Sequence, residues 1–194
     1  MKKGELTRGK IIDAATKLFK RQGFGLTSIN AILSESGLKK GALYHGFTSK
    51  EEIGLTVLER ARSELLAFLD SSLVGLTPKA CLENYLHLFL EWHRSVQFDE
   101  GCIFAHLALE MADTNERFAT YVREVFDEWE GKLQEVIEAA QTANEITANI
   151  SSIDLASLII AASEGAIMRS RLKKNEQSLD NCFSTIRRLI APGS

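Results

Sequence analysis

Proline is nearly absent: the 194-residue chain holds two, Pro78 and Pro192. Cysteine is scarce as well. Its three copies, Cys81, Cys102 and Cys182, are odd in number and widely spaced, which excludes a disulfide framework and fits a reducing cytoplasm. Long apolar runs are missing. The longest stretch without a charged side chain, Gln22 to Ser34, has 13 residues, whereas a membrane helix needs roughly 20. Lys2 and Lys3 could open an export signal, but Glu5, Arg8, Lys10 and Asp13 interrupt the apolar region it would need. Neither Asn-Gly nor Asp-Gly hairpin pairs occur, and no sustained alternation of period two is present, which argues against β-structure. Internal repeats and low-complexity tracts are also lacking.

What remains is an ordinary globular composition, 45% hydrophobic and 25% charged, in a chain long enough for one or two small domains. The net charge of −3 hides an asymmetry. Residues 1–50 carry 10 Lys/Arg against 3 Asp/Glu, and residues 51–194 carry 13 against 23. A basic head on an acidic body suits a polyanion at the head only. The same charges could also decorate a solvated surface.

Helical periodicity runs through the chain and predicts an all-α fold. Ile11, Ile12, Ala15, Leu18 and Phe19 line one face of a first helix that Gly23 ends. Thr27 is placed to cap a short helix carrying Ile29, Ile32 and Leu33, which Gly37 breaks. A second short helix follows from about Lys39 to His45. Thr48 and Glu51 have the spacing of a capping box at the start of a long helix reaching about Leu69. Thr77 and Pro78 open another, with an N-cap and proline at the first position. The pattern then predicts helices near 78–95, 102–112, 115–142, 152–173 and 176–190.

Two short helices around Gly37 have the form of a helix-turn-helix. Ile32, Leu38 and Leu43 would pack the pair together and onto the first helix through Phe19. The second helix would expose Lys39, Lys40, Ala42 and His45, with a bare spot at Gly41. Small residues let such a helix approach base edges in a major groove, while lysines and the Tyr44 hydroxyl can hold phosphates. A glycine between two short apolar runs is also a common helix corner, so spacing alone leaves both readings open.

The residues themselves narrow the choice. Thr7-Arg8, Ile11, Ala14-Ala15, Leu18-Phe19, Gly23-Phe24, Thr27 and Ile32 are followed by Gly37-Leu38, Lys40-Gly41-Ala42-Leu43-Tyr44-His45, Phe47 and Ser49-Lys50-Glu51. From Thr7 to Leu58 this order closely resembles the DNA-binding head of the TetR family of bacterial transcription regulators. The resemblance implies an all-helical homodimer. Its three-helix head, residues 1–50, would bind double-stranded DNA at a palindromic operator. Its larger helical body, residues 51–194, would bind a small-molecule effector and dimerise. Carried over position by position, Thr27 would cap its helix and touch phosphate. Ser28, Lys39, Ala42 and His45 would read bases, with Gly41 allowing close approach. Lys40, Tyr44 and Lys50 would clamp the DNA backbone. Three positions depart from the family pattern. Leu33 stands where a small Ala is usual, Gly46 where His or Tyr often touches phosphate, and Lys39 where a small polar residue is common.

The body is less legible. Residues 78–142 are rich in aromatic side chains, which in an all-α domain build a core or line a mostly apolar pocket. Phe89, Trp92, His93, Cys102, His106, Phe126 and Trp129 are the candidates for contact with an effector, and Glu110 could add a polar group. Gly101-Cys102, Leu109-Glu110, Phe126-x-x-Trp129 and Glu164-Gly165-Ala166 resemble the sensor body of one TetR branch, in some members of which this cysteine senses oxidants or electrophiles. A helix N-terminus favours a reactive thiolate at Cys102, Asp99 and Glu100 oppose it, and an inert, buried cysteine is the alternative. Cys81 and Cys182 read as core. Cys102 and His106 share a helix face, but two ligands do not make a metal site, and neither metal nor cofactor is expected. The resemblance makes the last two helices the dimer interface, with Ala161, Ala162, Gly165 and Ala166 favouring close helix approach.

No nucleophile–base pair, phosphate loop or complete metal set argues for an enzyme. The reading is a ligand-responsive DNA-binding regulator of the cytoplasm, a repressor released by a small molecule or by thiol modification. The competing reading is a helical interaction module that uses its basic head on a protein.

Overall fold

The computed structural model describes residues 3–192 and, among them, all regular structure is helical. The order is α1 (Lys3–Gln22), α2 (Ile29–Ser36), α3 (Lys40–Tyr44), α4 (Lys50–Ser72), α5 (Pro78–Ser95), α6 (Ile103–Met111), α7 (Glu116–Thr142), α8 (Ser152–Lys173) and α9 (Gln177–Leu189). No helix among the described residues is long and apolar enough to cross a membrane.

The chain forms two compact units. Among the described residues, the first comprises 3–64 and 102–122, the second 65–101 and 123–192. The motif ends near residue 50, but packing also groups the start of α4, all of α6 and the start of α7 with the head.

In the first unit, Ile11, Ala15 and Phe19 of α1, Ile32 of α2, Leu43 of α3, Phe47, and Ile53, Val57 and Leu58 of α4 are buried. Aromatic contacts extend this core. The rings of Phe19 and Phe24 lie 5.2 Å apart, and those of Phe24 and Phe118 lie 5.1 Å apart. Gly37 closes α2 in the left-handed region at φ 67°, where its amide donates back to the last turn.

Two caps fall one residue later than their spacing predicts. Ser28, not Thr27, caps α2: its hydroxyl accepts from the Ala31 N–H at 3.1 Å. Thr27 is fully buried and donates to the Gly23 carbonyl at 2.7 Å, so its hydroxyl serves the preceding turn. Likewise, Ser49 accepts from the Glu52 N–H at 3.0 Å, while the Glu52 carboxylate accepts from both the Thr48 N–H and its hydroxyl at 2.7 Å. The pair is Ser49–Glu52 rather than Thr48–Glu51.

The second unit is a helical core built from α5, α8, α9 and the adjoining parts of α4 and α7. Thr77 caps α5 through the Ala80 N–H, with Pro78 in the first turn as the sequence predicts. The Glu145 carboxylate accepts from the next free amide of that turn, Lys79 N–H, at 2.8 Å. Ion pairs tie the surface at Lys132–Asp70, Lys174–Asp99, Arg94–Glu176 and Arg187–Glu83. Helix α8 buries Leu155, Ile159, Ala166 and Ile167 on one face and exposes Leu158, Met168 and Leu172 on the other. The small residues divide with it: Ala166 is buried, Ala162 half-buried, and Ala161 and Gly165 exposed. Cys81 and Cys182 are half-buried, Cys182 packs against the core of this unit, and burial raises its thiol pKa.

Candidate nucleic-acid interface

Helix α3 has one face in the core and one in solvent. Leu43 is fully buried, whereas Lys39, Lys40, Gly41, Tyr44 and His45 are exposed. Ala42 is half-buried between the two faces. The ammonium of Lys40 lies 5.9 Å from the Tyr44 ring centroid, so a cation and a phenol share one patch. Lys39 is the N-cap and makes no side-chain cap bond. Ser28 is exposed at the start of α2, with its hydroxyl engaged in the cap.

Two residues of the expected set face inward. Thr27 is buried, with its hydroxyl on the Gly23 carbonyl. Lys50 donates to the Phe24 carbonyl at 2.9 Å and the Thr27 carbonyl at 3.0 Å, and its ammonium lies 4.2 Å from the Phe24 ring. Burial pulls its pKa below the ordinary lysine value, and the Glu110 carboxylate opposes that shift. In this geometry Lys50 braces the loop between α1 and α2.

That loop has a second brace. The Glu110 carboxylate on α6 accepts from the Gly25 N–H at 2.6 Å. Gly23 permits the approach, because a Cβ there would stand 1.8 Å from a Glu110 oxygen, and its φ of +83° suits glycine. On the same helix, His106 Nδ1 lies 3.4 Å from the Phe19 carbonyl. Cys102 is the N-cap residue of α6 and is half-buried. Cys102, His106 and Glu110 therefore belong to the head unit. The pairing of Glu110 with Gly25, residues 85 positions apart, carries no local sequence signal.

The other effector candidates gather in the second unit. Phe89 lies 5.1 Å from His93 and 6.0 Å from Trp129, Trp92 meets His93 edge-on at 4.6 Å, and Phe126 stacks on Trp129 at 6.1 Å. The Trp129 indole N–H donates to the Tyr85 hydroxyl at 3.2 Å, a buried contact absent from the expected set. Phe89, His93 and Trp129 are buried, Phe126 is half-buried and Trp92 is exposed. No group of three metal-ligating side chains occurs among the described residues.

Comparison with known proteins settles the lineage. Residues 11–55 match the bacterial regulatory proteins of the tetR family, and residues 78–186 match the tetracyclin repressor-like C-terminal domain. The chain belongs to the TetR family. It is a helix-turn-helix transcriptional regulator and not an enzyme. Its relatives include the HTH-type transcriptional repressor DhaR of Mycobacterium sp. (strain GP1), 24% identical over 96% of this chain and 93% of that protein. The transcriptional regulator AcuR of Cereibacter sphaeroides is 27% identical over 94% of this chain and 84% of its own. The solved structure of a regulatory protein TetR from Rhodobacter sphaeroides superposes with a TM-score of 0.90, covering 96% of this chain and all of that one at 24% identity. That likeness is one of fold. A TetR-family head accounts for the cationic face of α3, and the body follows the family's helical architecture.

Proposed function

We propose that this protein is a cytoplasmic homodimeric repressor that binds a palindromic operator and releases it on binding a small organic molecule. The observation that carries the reading is the division of α3 into a buried anchor, Leu43, and an exposed face of Lys39, Lys40, Tyr44 and His45. Lys40 and Tyr44 hold phosphates, while Lys39, Ala42 and His45, with Ser28 beside them, read base edges. Gly41 leaves the DNA-facing surface of α3 bare. The effector has an apolar body. The aromatic cluster of Phe89, Trp92, His93, Phe126 and Trp129 supports this, because such clusters bind apolar molecules with a few polar groups. Dimerisation uses α8 and α9. In support, α8 carries a second apolar face with Leu158, Met168 and Leu172 exposed. Cys102 offers a second route of release by thiol modification at the start of α6.

The experiment is a selection of bound fragments from sheared genomic DNA, with and without reductant. Recovery of a short palindrome is the expected result, and recovery of no preferred sequence refutes the reading. On the recovered site, Tyr44→Ala and Lys40→Ala weaken binding to all sequences alike, whereas changes at Ala42 or His45 alter preference among sites. The opposite pattern overturns the role assignment.

A further inference from the structure

Arg8 has no role in the account so far, although Thr7-Arg8 opens the head motif. Its guanidinium is engaged on several sides. Nη1 donates to the Gly46 carbonyl at 2.6 Å, and Nη2 to the Thr56 hydroxyl at 3.2 Å. The group lies over the Phe47 ring, 4.0 Å from its centroid, and Glu52 approaches to 3.8 Å. Glu52 is held in turn by Thr48. One side chain of α1 thus grips the exit of α3 and the first turns of α4.

Helix α3 has only five residues, and a helix this short is not stable alone. Its pose is therefore set by its neighbours. Leu43 and Phe47 are buried and fix its depth, but apolar contacts are not directional. Gly46 has no side chain with which to anchor the exit. A planar guanidinium bonded to the Gly46 carbonyl supplies the direction. The geometry points to Arg8 as a positioning residue that sets the rotation and reach of α3, and so the discrimination between operator and other DNA, without touching base or phosphate. This rests on the DNA-binding reading above.

The rival role is a phosphate contact, and salt separates the two. A phosphate ligand contributes to every sequence, and its loss lowers the salt slope by about 1. A positioning residue changes the operator-to-random ratio and leaves that slope alone. Full-length wild type, Arg8→Lys, Arg8→Gln and Thr56→Val are titrated with the selected operator fragment and with a scrambled fragment of equal length, at several salt concentrations. Titrations are run well below each variant's melting midpoint. Arg8→Lys is expected to lower the ratio about tenfold, and the milder Thr56→Val about threefold, since charge-assisted hydrogen bonds are the stronger kind. Neither should change the salt slope on scrambled DNA. An unchanged ratio in Arg8→Lys, or equal losses on both fragments with a smaller slope in Arg8→Gln, which removes the charge that lysine keeps, overturns the positioning role. If Arg8→Lys does not fold, Thr56→Val decides: a lowered ratio supports the role and an unchanged one overturns it. A wild type without sequence preference refutes the DNA-binding reading itself, and Arg8 loses its role with it.

Discussion

Replacing Gly23 with alanine perturbs the head in two separable ways. The residue sits at φ +83°, where an L side chain costs about 1–2 kcal/mol of backbone strain. Alanine also narrows the unfolded ensemble, which offsets about 0.5–1 kcal/mol of that cost. The second effect is steric. The new Cβ would stand 1.8 Å from one Glu110 oxygen and 2.9 Å from its carboxyl carbon. The carboxylate must swing away and give up its bond to the Gly25 N–H. Because that bond is partly exposed, its loss costs about 1 kcal/mol rather than the value of a buried charged bond. Gly23→Ala is therefore expected to cost about 2 kcal/mol in total, and Glu110→Ala about 1 kcal/mol.

A double-mutant cycle isolates the contact. In the Glu110→Ala background the collision is gone, so Gly23→Ala costs only the net backbone strain. The two single changes should exceed the double by about 1 kcal/mol. Urea denaturation followed by far-ultraviolet circular dichroism measures all four proteins at one fixed concentration, because the proposed dimerisation would make stability concentration-dependent. Tryptophan fluorescence is the wrong probe, since Trp92 and Trp129 both lie in the second unit. Additivity within about 0.5 kcal/mol would refute the argument that Gly23 is kept open for Glu110.

Two further outcomes follow from the same structure. Glu52 is held below the usual carboxylate range, first by the Thr48 N–H, then by the Thr48 hydroxyl and by Arg8. A carboxylate depressed in this way stabilises the fold above its unfolded value of 4.5, and the contribution is lost as pH falls through the folded value. Glu52→Gln should flatten the drop in melting midpoint on acidification below about pH 4.5, and an equally steep drop would count against the contact. On α8, Met168 and Leu172 are 58% and 78% exposed, so under the proposed dimerisation through α8 and α9 Leu172→Asp should give a folded monomer. A two-fold axis places the new charge in the interface twice. Sedimentation velocity reads the mass, and an unchanged dimer would move the interface elsewhere.

The long helices were legible because their signals are local. Thr77-Pro78 opens α5 at the predicted residue, and Gly37 ends α2 in the left-handed conformation its position demands. The bounds of α7 and α8 follow apolar periodicity closely. Adjacent hydroxyls were harder. Thr27-Ser28 and Thr48-Ser49 each offer two candidate caps, and which one serves depends on where the other turns. Thr27 turns back to the Gly23 carbonyl, which leaves Ser28 as the cap.

An all-helical chain, a helix-turn-helix with a cationic second helix and an aromatic-rich body are all readable from the linear order of residues. Each of these follows from residue type at short spacing. Which charges face inward depends on packing. Lys40 and Lys50 are the same residue type in one motif, yet Lys40 lies on the open face and Lys50 closes on two loop carbonyls. Arg8 meets Gly46 across 38 residues and Glu110 meets Gly25 across 85. A long charged side chain has a flexible stem and no periodicity of its own. Its partner is set by what the packed helices bring within reach, and that is a property of the folded chain.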